Sequence, residues 1–136
     1  MTAGDSERET VDIDGRRIVL IDSITQVRPG DAGAIVVSGS HGGVSSGRYA
    51  AAVRAALYAF NDAGVGKGGA GIAALANLDA LGIAAVAVSH ETAVIGDAHD
   101  AWENGVVAHA NDAALVIGVL VRDPLRNVVS RLAGQA

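Results

Sequence analysis

The chain has 136 residues, half of them hydrophobic, with a formal net charge of −5, 18 glycines and no cysteine. That length gives one domain with a core of its own. The ten basic residues are too scattered for the clustered Lys and Arg of a nucleic-acid-binding surface, and the lack of cysteine excludes disulfides, thiolate catalysis and Cys-type zinc sites.

Residues 1–8 read as a loose tail and 9–136 as a single α/β domain. No apolar run reaches the roughly 18–20 residues of a membrane span. Residues 1–10 are polar and acidic rather than leader-like, so a cytoplasmic protein with no membrane partner is expected. Only 3% of residues are aromatic, so the core must be built from Ala, Val, Ile and Leu. So apolar a composition in so short a chain also predicts a homo-oligomer with a buried interface.

Thr10–Ile13 and Arg16–Ile21 alternate about Asp14-Gly15, a type I′ turn pair, and predict a hairpin. Arg28–Asp31 reads as a turn and Ala34–Val37 as a short buried strand, followed by a Gly-rich loop, Ser38–Gly43. Ser45 or Ser46 caps a short helix with Tyr49, Val53 and Leu57 on one face. A strand around Ala56–Phe60 leads into the loop Asn61–Gly69 and a helix over Ala70–Leu81, with Gly82 as its C-terminal cap. Ile83–Val88 is the clearest strand. Asp97 caps a helix ending near Asn104-Gly105, Ala114–Leu120 reads as a final strand, and Asp123-Pro124 opens an amphipathic helix bearing Leu125, Val128, Val129 and Leu132. Strand–helix alternation predicts a three-layer sandwich: a mostly parallel, Rossmann-like sheet of about five strands plus the N-terminal hairpin.

Four apolar runs end in clusters of glycine and polar residues, and in open α/β sheets ligands bind beyond the carboxyl ends of the strands. The candidate acid–base residues are therefore His41, Asp62 and His90, the first and last because imidazole exchanges protons near neutral pH. Ser38, Ser40, Gly42, Gly43, Asn61, Lys67 and Glu91 are the candidate substrate contacts. Gly-rich turns that open helices present N–H groups to anions, and Lys67, the only lysine, supplies a counter-charge. Gly64, Gly66 and Gly69 match G-x-G-x-x-G, with Glu91 about 20 residues on, so a nucleotide is one alternative ligand. No cofactor is predicted. A divalent metal on His41, His90, His99 or His109 with a carboxylate is another alternative, as is Ser40 acting as a nucleophile with Asp97 or Asp100 and His99 or His109. His109–Asp112, placed before the last strand, is expected at the amino-end rim, away from the site.

Between Gly64 and Gly118 the chain is loosely similar to the small ribose-5-phosphate isomerases of the B type. The motifs are Gly64-Val65-Gly66, Ile72-Ala73-Ala74 with Asn77, Gly82-Ile83-Ala84-Ala85 and Asn111-Asp112-Ala113. The resemblance implies a Rossmann-like fold and a phosphorylated sugar-like substrate, but that family's catalytic cysteine has no counterpart here.

The residues together predict a small-metabolite enzyme of isomerase or lyase type, acting by general acid–base chemistry on a phosphorylated or carboxylated substrate. The other readings are a ligand-sensing regulatory domain without turnover, a structural subunit that docks through the C-terminal helix, and a Ser- or metal-dependent hydrolase.

Overall fold

The computed structural model describes residues 8–134. The expected tail lies outside them except for Arg8, which opens the first strand. Six strands form one sheet: β1 Arg8–Ile13, β2 Arg16–Ile21, β3 Ile35–His41, β4 Leu57–Asn61, β5 Ala85–Val88 and β6 Val107–Ala110. They lie in chain order, β1-β2-β3-β4-β5-β6. β2 to β5 are parallel, and the two outer strands, β1 and β6, run antiparallel to their neighbours. The helices are α1 Val44–Ala51, α2 Ala73–Asp79, α3 Ala98–Asn104, α4 Asp112–Val116 and α5 Leu125–Gly134. None of the described helices is long and apolar enough to cross a membrane.

Period-two alternation splits the core into two layers. Ile18, Leu20, Ile35, Val37, Leu57, Ala59, Val86 and Val88 face Trp102 of α3 and Leu125, Val128, Val129 and Leu132 of α5. Val19, Ile21, Val36, Tyr58, Phe60 and Ala87 face Ala50 of α1 and Ala74, Leu75 and Leu78 near and along α2. α1 and α2 share a face because their crossovers step the same way along the sheet, and crossover handedness is fixed. The order never reverses, so the sheet has no switch-point crevice of the kind that holds dinucleotides in doubly wound folds.

The hairpin turns at Asp14 and Gly15, both at positive φ (52° and 84°), as a type I′ turn requires. Beside it, Asp31 is buried and held by the Arg8 guanidinium and the Arg28 backbone N–H, with Arg17 3.9 Å away.

Several local expectations are corrected. Ser38–His41 is strand, not loop, because Gly39 lets the 94–97 turn press onto β3: a Cβ there would lie 2.6 Å from the Asp22 carbonyl oxygen and the Asp97 nitrogen. α1 is preceded by Gly43, not by a serine cap, and the Ser46 hydroxyl donates back to the His41 carbonyl at 2.6 Å. Tyr49 is 45% exposed, and Leu57 belongs to β4, so the expected helix face does not exist. Residues 67–72 are a kinked segment, with Gly68 and Gly69 at non-helical φ of 64° and 75°, so the helix starts at Ala73 rather than Ala70. Ala114–Leu120 is not a strand: Asn111 Oδ1 accepts the Ala114 N–H at 2.9 Å and starts α4, while the last strand is β6.

Candidate functional site

The site lies at the carboxyl ends of β4 and β5. Asp62 follows the last residue of β4, and its N–H donates to the Val88 carbonyl at 2.9 Å, continuing the ladder one step beyond the strand. Its carboxylate is 7% exposed. Oδ1 accepts three N–H groups: Gly64 backbone at 2.8 Å, His90 backbone at 3.0 Å and His90 Nδ1 at 3.1 Å. Burial opposes ionisation of Asp62, but these hydrogen bonds and the His90 imidazole outweigh it, and the carboxyl lies below the ordinary aspartate range. An ionised acceptor makes Nδ1 of His90 the donor. Neutral His90 then carries its lone pair on Nε2, the tautomer of a general base, on a side chain 49% exposed.

Gly64 lies beneath this imidazole, where backbone conformation rather than space favours glycine. Its φ is 75°, and a Cβ there would sit 3.6 Å from His90 Cε1 and 3.8 Å from Nδ1 and Nε2.

The second oxygen of Asp62 faces a residue expected elsewhere. His109 Nε2 stands 3.7 Å from Oδ2, too long for a direct hydrogen bond but within ion-pair reach when His109 is protonated. For His109 the expectation of the amino-end rim fails because β6 is antiparallel: Ser89 donates to Val106, and His109 pairs with Ala87, one residue before the end of β5, whereas Asn111, whose N–H donates to Ala85, does reach the amino end. Helix length gives no warning of this: the helix between Asp97 and Gly105 has seven residues, as many as α2, which does carry the chain back between parallel strands.

The other candidates divide. His41 ends β3 opposite Asn61, is exposed, and accepts the Gly43 N–H on Nδ1 at 3.1 Å, one strand away from Asp62. Gly42 hydrogen-bonds the Asn61 carbonyl, and a Cβ on Gly43 would fall 2.7 Å from His41 Cε1, so both glycines set the rim's backbone. Asn61 is buried and spent on structure, donating to Ala93 and accepting from Ala63. Ser38 is buried and accepts the Ser40 N–H, while Ser40 Oγ accepts the Ile24 N–H. Lys67 and Glu91 are exposed on neighbouring loops, and neither side chain has an ion pair among the described residues.

The nucleophile arrangement does not assemble. Asp97 caps α3, Asp100 bonds Val94 and Asn104, His99 faces Glu9, and His109 faces Asp62. The loop after Asp62 turns most of its backbone N–H groups inward. The N–H groups of residues 63, 64, 65, 66, 69 and 71 all donate within the loop or to Asn61 and Asp62. Ala63 and Val65 join its glycines at positive φ (51° and 69°), a conformation a β-branched residue rarely adopts. Among the described residues no three His, Asp or Glu side chains form a group that could hold a metal ion.

Where the isomerase-like motifs placed an apolar strand after Asn111-Asp112-Ala113, the chain instead forms α4. No protein-family model matches the chain, and neither does any curated protein or solved structure.

Proposed function

We propose that the protein is a small-metabolite enzyme of isomerase or lyase type, with His90 transferring the proton through Nε2. The observation that carries this reading is the Asp62 carboxylate held between two half-exposed histidines, ionised and bonded to Nδ1 of one of them. Asp62 fixes the His90 tautomer and stabilises the imidazolium formed on proton abstraction. His109 is the second proton carrier, on the other oxygen of the same carboxylate. With the loop's backbone N–H groups largely spent, the substrate's carboxylate or phosphate is held by side chains, Lys67 and His41.

The oligomer belongs to the same reading. Leu115, Val116, Ile117, Leu120 and Val121 are 38–84% exposed within one short segment, and no charge interrupts residues 113–121. A second copy of the chain covering this patch is the proposed assembly. A cytoplasmic location rests on composition alone.

The test is solvent-deuterium exchange followed by proton NMR over a panel of 2-oxo acids and sugar phosphates. Loss of a C–H signal next to a carbonyl, abolished in His90→Gln, supports the reading. Undiminished exchange in His90→Gln overturns it.

A further inference from the structure

His109 lines a groove that no assigned role accounts for. It has a volume of about 510 Å³ and lies between α2 and β6, within the size range of small-molecule sites. α2 and β6 both run from the carboxyl edge of the sheet to the amino edge, so the groove has a direction. His109 stands at its upper end, and Asp79 and Asp112 at its lower end, about 10 Å away by the rise of α2. Between them the α2 wall is aliphatic, Leu75 and Ala76, and the facing wall is the free edge of β6 running on from His109 through Ala110.

The frame is preformed. Asn111 spends its amide completely, accepting from Ala85 and Ala114 and donating to Leu75 and Ile83. It thereby ties α2, β5 and α4 together and offers nothing to a ligand. Asp79 gives Oδ1 to the Ala113 N–H and keeps Oδ2. Apart from His109, no basic side chain lines the groove, so its lower end attracts a cation and repels an anion.

We infer that this groove binds the body of the substrate: an aliphatic chain whose far end is an ammonium group held by Asp79 and Asp112. This deepens the proposed function, and only the orientation rests on it: the carboxylate end faces the histidines. The substrate class becomes an ω-amino carboxylate instead of a sugar phosphate or a dicarboxylate.

The test is an NMR titration of ¹⁵N-labelled protein with 6-aminohexanoate, hexanoate and adipate. The expected result is that 6-aminohexanoate shifts the amides of Ala76, Ala108 and Ala110 and binds most tightly of the three. Replacing both carboxylates (Asp79→Asn with Asp112→Asn) should weaken it about tenfold, the scale of a lost charge-assisted contact. Ala76→Trp, on an exposed helix position, should fill the groove and remove binding without touching Asp62 or His90. Equal affinity for adipate, unchanged binding in Ala76→Trp, or no binding by any of the three overturns the inference. His90→Gln separates the two readings: groove binding that survives while exchange is lost supports both, whereas exchange that survives in His90→Gln removes the acid–base reading alone.

Discussion

His109 Nε2 and Asp62 Oδ2 stand 3.7 Å apart across the end of β5, the strand that separates theirs in the sheet. With His90 Nδ1 on Oδ1, one carboxylate serves two imidazoles unequally. Replacing His90 by Gln should reduce exchange by about 10²–10⁴, the usual contribution of a positioned acid or base. Gln at 109 should cost less, because its contact with the carboxylate is longer than a hydrogen bond. Single-turnover rates of the two variants on one substrate check the order, and a larger loss at 109 would reverse the assigned roles.

Gly64 separates backbone strain from ring displacement. Gly64→Ala should destabilise by about 1–2 kcal/mol, because φ is 75°, yet leave His90 in place, since the new Cβ meets the ring at ordinary contact distance. Gly64→Val adds branches that press on the imidazole. Denaturant midpoints should fall in both variants, while exchange should fall steeply in the valine variant alone.

Asp62 ionises more readily in the folded chain than in the unfolded one, so at acidic pH the unfolded state binds the extra proton. Its stabilisation is therefore complete above the unfolded aspartate value, near pH 4, and fades as the pH falls through and below that range. Asp62→Asn should be less stable than the wild type at pH 7 by about 1–3 kcal/mol. The gap should narrow as the pH falls below the unfolded aspartate value, and urea unfolding at several pH values measures it. A gap independent of pH would mean that the carboxylate charge contributes nothing to the loop.

At the opposite end of the chain, Asp31 is 1% exposed and depends on Arg8, itself only 12% exposed, for its counter-charge. Arg8→Ala should cost about 3–5 kcal/mol, the penalty for stranding a buried charge. Arg8→Ala with Asp31→Asn should recover much of that loss. A chemical-denaturation double-mutant cycle reads the coupling.

The elements legible from sequence were those whose signals are local. Asp14-Gly15 specified its turn, the apolar run Ile18–Ile21 read as strand, and the strand expected around Ala56–Phe60 is β4, one residue further on at each end. Placing chemistry at strand ends also located Asp62 and His90, because a parallel strand delivers the residues that follow it to one rim. His109 was missed because its position depends on the direction of β6, which β6's four residues do not encode. Ser38–His41 looked like a loop because Gly39 signals a turn in sequence, whereas in the fold it makes room for a neighbouring backbone. The uncharged run Ala113–Val121 has the composition of a buried strand, yet much of it is exposed. Its apolar character therefore finds no explanation inside the monomer.

Because each strand pairs with the one before it, a chain emerging from the ribosome can add the sheet one strand at a time, with no later segment inserting between earlier ones. Asp62 and His90 thus leave the ribosome ahead of β6, which then brings in both His109 and the outer wall of the groove. A product ending after β5 would retain the Asp62–His90 pair with neither of these, and with the α5 face of the sheet uncovered. Synthesis itself therefore orders the assembly of the site, with the proposed proton-transfer pair delivered first and the wall of the proposed ligand groove last.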